Sequence, residues 1–253
     1  MELIAHRGES ADAPENTMAA FRLAWERGCT AVETDVHVTS DGALICCHDG
    51  NTKRTTGVDC VVGDTPSSRL RELDAGVWKG GEWAGERLPL LTELLGALPA
   101  GTSCYVELKV DAPSTEPQMV SRLAVDIASA GVAIEQLIVI SFSAAAVAET
   151  KRQLPHCRAF YLSGSDSSAV GNSDAFWSRT IAAAKATEAD GLDIEYRAVT
   201  DASVVRRVHE AGLALAVWTV DGASEATRLS ALGVDSLTSN RAAWMASQLG
   251  GIS

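Results

Sequence analysis

The chain has 253 residues, 46% of them hydrophobic, and a net charge of −12 at neutral pH. That length supports one large hydrophobic core. The acidity excludes the basic footprint of a nucleic-acid-binding protein, and with no run of eighteen apolar residues no membrane span is expected.

The chain opens on a short apolar run over 3–6 that predicts a strand ending at His6. Residues 16–27 place Met18, Phe21, Leu23 and Trp25 at helical spacing and stop at Gly28. Asn16 or Thr17 is read as the cap of that helix. Strands follow over 31–38 and 43–48. The stretch 49–87 is polar and turn-rich, with glycines at 57, 63, 76, 80, 81 and 85 among others. The remainder alternates strand and helix. Strands are predicted over 104–109, 137–142, 158–163, 191–196, 213–220 and 236–239. Helices are predicted over 92–98, 118–130, 144–153, 174–188, 201–211, 224–232 and 241–249. The serine- and glycine-rich stretch 163–174 reads equally as a substrate contact or a mobile loop.

Alternation repeated about eight times predicts an α/β fold, a (β/α)8 TIM barrel. Residues 1–253 are read as one domain, with 49–87 a small cap inserted after the second strand region and lying over the barrel mouth. The N-terminus has no basic region followed by an apolar core and cleavage site, so no secretory signal is expected. The six cysteines contain no Cys-x-x-Cys pair, which predicts reduced thiols in the cytoplasm.

Strand side chains alternate, so Glu33, Asp35 and His37 share one face and Glu107 and Lys109 share another. If both faces line the barrel, Glu33, Asp35 and Glu107 converge near its C-terminal rim as metal ligands. Such oxygen donors suit Mg2+ or Ca2+. Carboxylates embedded in apolar strands are seldom left without a cation. His6 and His48 end apolar runs and titrate where proton transfer is needed. Arg7 offers two donors to phosphate oxygens, and Lys109 a point charge. Either could instead pair with the acids. Phe142 and Trp218 end strand runs and read as a wall for a small organic group or as barrel core. His37 is read as support for the site, His156 and His209 as surface residues, and Asp193 and Glu195 as structural, with contact to an ammonium headgroup or extension of the metal site as the alternatives.

Together these patterns resemble the glycerophosphodiester phosphodiesterase family. The matching motifs are Ala5-His6-Arg7-Gly8, Pro14-Glu15-Asn16-Thr17, Glu33-Thr34-Asp35-Val36, Thr39-Ser40-Asp41-Gly42 and His48-Asp49. They continue with Arg54-Thr55-Thr56-Gly57, Leu73-Asp74-Ala75-Gly76-x-Trp78, Gly85-Glu86-Arg87-Leu88-Pro89, Glu107-Leu108-Lys109 and Trp218-Thr219-Val220. The resemblance implies a barrel with an inserted cap, acid/base roles for His6 and His48, and a divalent metal on Glu33, Asp35 and Glu107. The cap, which carries Trp78 and Trp83, is then expected to close one side of the pocket and select the glycerol half of the substrate. Mg2+ and Ca2+ are the leading metals, with Mn2+ a third. It implies hydrolysis of small glycerophosphodiesters, the deacylated phospholipids, to glycerol 3-phosphate and an alcohol. The nearest alternatives are a lysophospholipase D-like enzyme and a non-catalytic phosphodiester-binding barrel. Two departures stand out. Thr238-Ser239-Asn240-Arg241 replaces the family's usual Thr-Asp-x-Pro, and Thr52 stands where leucine is common.

Overall fold

A computed structural model describes residues 1–111, 115–164 and 174–250. Eight parallel strands close into a barrel: β1 (Glu2–His6), β2 (Ala31–Val38), β4 (Ser103–Leu108), β5 (Leu137–Ser141), β6 (Arg158–Ser163), β7 (Gly191–Glu195), β8 (Ala214–Trp218) and β9 (Ser236–Ser239). The ring closes where β1 pairs with both β2 and β9. Helices α1 (Met18–Glu26), α4 (Leu91–Ala97), α5 (Glu116–Ala130), α6 (Ala144–Gln153), α7 (Asp174–Ala186), α8 (Ala202–Glu210), α9 (Ala223–Leu232) and α10 (Ala242–Gln248) follow these strands.

Because side chains alternate along each strand, the barrel has two cores. Outward residues such as Val32, Val106, Val139 and Leu215 pack under the helices against Phe21, Leu94, Leu123 and Val208. Inward residues Ile4, Ala31, Tyr105, Ile138, Phe160 and Ala216 fill the lumen. Tyr105 and Phe160 meet edge-to-face with centroids 6.3 Å apart. One turn higher, the same inward positions become polar: His6, Glu33, Asp35 and Glu107. Apolar packing below thus fixes the strands that present charge above.

One predicted strand is not a stave of the barrel. The run over 43–48 shortens to β3 (Leu44–Cys46), which pairs antiparallel with β2. This hairpin turns the chain back, and the Cys47 amide donates to the Asp35 carbonyl at 3.0 Å. His48 is thereby returned to the acids of β2.

Residues 49–87 contain two single-turn helices, α2 (Lys53–Thr56) and α3 (Ser67–Leu70). The segment folds on a small core of its own, where Val62, Leu70, Leu73, Ala75 and Leu88 pack on Ile45 and Cys47 of the hairpin. Thr52 is buried there, its hydroxyl donating to the Val58 carbonyl at 2.8 Å. That bond closes a turn and accounts for a threonine at this place. Of the stretch 163–174, residues 165–173 lie outside the described residues.

Candidate active site

The loop after β1 begins the site. Arg7 adopts a left-handed conformation, φ 56°, which turns its amide to donate to Glu33 Oε2 at 3.0 Å. Gly8 follows with φ 81°, and a Cβ there would fall 2.5 Å from the α1 backbone at Ala20. Only glycine lets helix and loop approach so closely.

Thr17 caps α1, accepting from the Ala20 amide at 3.3 Å. Asn16 does something else. It is buried at φ 54°, donates to Asp35 Oδ2 at 2.9 Å, and accepts from the Thr34 hydroxyl at 2.8 Å and the Asp35 amide at 3.3 Å. A cap residue and a residue orienting an acid look alike in sequence, since both are polar and open a helix.

Glu33, Asp35 and Glu107 are all buried, with one ligand atom from each lying within 4.8 Å of the others. Arg7 Nε lies 3.0 Å from Asp35, and Lys109 Nζ lies 3.0 Å from Asp35 and 2.7 Å from Glu107. Burial opposes ionisation of Asp35, but Arg7 and Lys109 overcome it and hold that carboxyl below its usual range. Glu107 has no such surplus. Burial, then the Asp35 charge, pushes it up to about 7. Glu33 is driven well above its usual range by burial and then by Asp35. Three carboxylates against two cations leave the cluster short of positive charge, and three hard oxygen donors fit a divalent cation.

Both predicted histidines face this cluster. His6 Nε2 lies 3.9 Å from Glu33 Oε2. Its Nδ1 lies 2.7 Å from Asn240 Oδ1. The Asn240 Nδ2 donates to Asp221 at 2.6 Å, so the amide oxygen faces the imidazole. His6 Nδ1 must then carry the proton, which leaves Nε2 a lone pair. Burial, then the Arg7 charge, pushes His6 down to about 4, so it is neutral at neutral pH. His48 Nδ1 instead meets a carboxylate, Asp49 Oδ1, at 2.6 Å. Its pKa is lowered by burial against the pull of Asp35. His37 contacts the His48 carbonyl at 3.1 Å and Asp111 at 2.6 Å, so it braces the His48 loop. His156 is exposed, and His209 pairs with Asp235 at 2.9 Å.

Phe142 and Trp218 come together edge-to-face, centroids 5.9 Å apart. They wall a cavity of about 220 Å³ that also holds His6, Arg7, Glu33, His48, Glu107 and Lys109. All nine residues singled out from the sequence converge there, Asp35 lying behind Glu33 and Glu107. The cap behaves differently from the expectation. No residue of 49–87 lines this cavity: Val62, Leu70, Leu73 and Ala75 are spent on the segment's own core, and exposed Trp78 donates its indole N–H to the Ala75 carbonyl at 2.9 Å. The cap reaches the site through charge instead. Arg54 bonds Glu15 through both terminal nitrogens at 2.8 Å and Asp49 at 2.6 Å, while Glu15 also accepts from Arg7 at 2.9 Å.

A model of the glycerophosphoryl diester phosphodiesterase family matches residues 6–243. The chain belongs to this family. A glycerophosphodiester phosphodiesterase of Caldanaerobacter subterraneus subsp. tengcongensis is 33% identical over 161 residues, a match spanning 62% of this chain and 64% of that protein. A glycerophosphodiester phosphodiesterase of Bacillus subtilis is 28% identical over 252 residues, covering 94% of this chain and 82% of that one. Among solved structures, an Oleispira antarctica phosphodiesterase in complex with the product sn-glycerol-3-phosphate superposes with a TM-score of 0.86. It is 28% identical, with 98% of this chain and 96% of that chain covered. The departure at 238–241 has a local explanation. The Ser239 hydroxyl and the Asn240 amide both donate to Asp221, at 3.0 and 2.9 Å, so an acid from the β8–α9 loop orders this rim. No described helix is long and apolar enough to cross a membrane.

Proposed function

We propose that this chain is a divalent-metal-dependent hydrolase of glycerophosphodiesters, releasing glycerol 3-phosphate and an alcohol. The observation that carries the reading is the convergence of three buried carboxylates, two cations and two oppositely supported histidines on one cavity. Glu33, Asp35 and Glu107 would hold Mg2+, Ca2+ or Mn2+. A cation there supplies charge neutralisation at the phosphoryl group. Arg7 and Lys109, relieved of balancing the acids, meet phosphate oxygens.

The histidines divide the proton work by their partners. The Asn240 amide oxygen holds the proton on Nδ1, and burial with the Arg7 charge keeps His6 neutral with Nε2 free, the base toward the nucleophile. Asp49 stabilises an imidazolium on His48, the acid toward the departing alcohol. Phe142 and Trp218 form the wall of the substrate pocket. The nucleophile is water or the glycerol 2-hydroxyl. We read the activity as part of lipid and glycerol metabolism in the cytoplasm, which reduced thiols suit.

The test is a panel of glycerophosphodiesters with choline, ethanolamine, glycerol and inositol headgroups, assayed for glycerol 3-phosphate with metal and with excess chelator. Release that depends on metal supports the reading. Full release after the metal is shown to be gone overturns its metal half. Cleavage of lysophospholipids alone favours the lysophospholipase D-like reading, and binding without cleavage a silent barrel.

A further inference from the structure

Asp193 has no role in the chemistry above. It sits on β7, inward-facing, and is buried. Around an eight-strand ring β7 is four strands from β2 in either direction, so Asp193 lies across the lumen from Glu33 and Asp35. It is not one of the three clustered carboxylates. Its register neighbours are Leu162 and Ala216, both apolar. Among the described residues, Asp193 Oδ1 has no hydrogen-bond partner. The side chain instead lines the cavity, with Ile140, Leu162, Phe142, Trp218 and Thr238 around it. The Trp218 indole donates to the Asp193 backbone carbonyl at 3.2 Å, which fixes the ring beside the acid.

A buried acid without a partner destabilises a fold unless it meets a ligand. We propose that Asp193 is a specificity-determining contact for the terminal hydroxyl of the substrate's glycerol half, seated between the aromatic wall and the far side of the barrel. This rests on the proposed glycerophosphodiesterase activity and adds where the polyol is read. Geometry selects the terminal hydroxyl. The 2-hydroxyl stays near the phosphate and the metal acids, whereas the terminal one extends furthest across the lumen. Chemistry selects a hydroxyl over an ammonium. Burial, then the Glu107 charge, pushes Asp193 up to about 8, so at neutral pH the group is largely a neutral acid that both donates and accepts. A neutral acid amid apolar walls matches a neutral hydroxyl carried on a hydrocarbon frame. Acylating that hydroxyl removes its proton and adds bulk, so lysophospholipids would be rejected at the same contact.

The experiment compares two diesters with one headgroup. One carries glycerol, and the other carries propane-1,2-diol, which lacks the terminal hydroxyl. Both are assayed on wild type, Asp193→Asn and Asp193→Ala with metal present. Wild type should prefer the glycerol diester by roughly 10- to 100-fold in kcat/KM, the range for leaving a built hydrogen bond unmade. Asp193→Ala should erase that preference by losing activity on the glycerol diester alone. Asp193→Asn, which keeps a donor and an acceptor, should retain most of it. Asp193→Ala should also melt no lower than wild type, since an unpaired acid is removed. Equal activity of wild type on the two diesters overturns the proposal without any variant, as does an unchanged preference in Asp193→Ala. With the headgroup panel run on the same variants, a loss in both confined to ethanolamine and choline diesters would overturn it in favour of an ammonium contact. Absence of turnover on every diester would instead strike the proposed activity itself.

Discussion

Replacing Asn16 tests how the acid cluster is held. Its amide gives one hydrogen bond to the buried Asp35 carboxylate and accepts from Thr34 and from the Asp35 amide. Asn16→Gly removes all three while suiting φ 54°. A hydrogen bond to a charged group contributes about 1.5–3 kcal/mol, and an orphaned buried donor such as the Thr34 hydroxyl costs about 1–3 kcal/mol. Taken together and allowing for non-additivity, the loss is about 3–5 kcal/mol, a large share of a typical stability of roughly 5–15 kcal/mol. Asn16→Ala should lose a further ~1–2 kcal/mol, because a Cβ disfavours the left-handed backbone. Asp35 keeps Arg7 and Lys109 in both variants, so metal affinity should weaken by roughly 10–100-fold and not vanish. Urea unfolding in chelator measures the first quantity, and calorimetric titration with Mg2+ the second. A change below about 1 kcal/mol together with unaltered Mg2+ affinity would refute the view that Asn16 orients the acid.

Other expectations follow from the same geometry. His6→Ala and His48→Ala should each lower kcat by roughly 10²–10⁴-fold, and a p-nitrophenol leaving group should rescue only His48→Ala. Rescue of His6→Ala instead would reverse the acid and base assignments. Metal-free protein should lose stability between pH 6.5 and 8. Glu107 and Asp193, raised to about 7 and about 8, hold protons there that the unfolded chain has released, so folding is favoured at the lower pH. Mg2+ should flatten that slope, and a metal-free melting temperature that rises across the window would contradict it. Arg54→Ala should lower turnover of glycerophosphodiesters and of bis(p-nitrophenyl) phosphate alike, by roughly 10-fold or more, because it loosens Asp49 and Glu15. A loss limited to the glycerol substrate would restore the cap as the reader of that half.

The sequence by itself determined the barrel and singled out the groups proposed to react. Strand and helix periods are local properties, so alternating apolar runs with glycine stops identified seven barrel strands closely, and β8 within two residues at either end. Carboxylates at alternate positions in Val-rich strands were conspicuous because burial without a cation is unfavourable. The family motifs then gave His6, His48 and the metal acids their expected roles. Tertiary structure decided what depends on distant partners. The 43–48 run looks like any strand, and only its antiparallel pairing with β2 shows that it returns His48 to the site. Asn16 looks like a helix cap, and only its 2.9 Å bond to Asp35 shows otherwise. Asn240 is far from His6 in the chain and touches it only after the barrel closes, oriented by Asp221. Asp193 carries no motif at all. What distinguishes it among the described residues is a buried Oδ1 without a hydrogen-bond partner between apolar neighbours, a property that exists only once eight strands enclose the space around it.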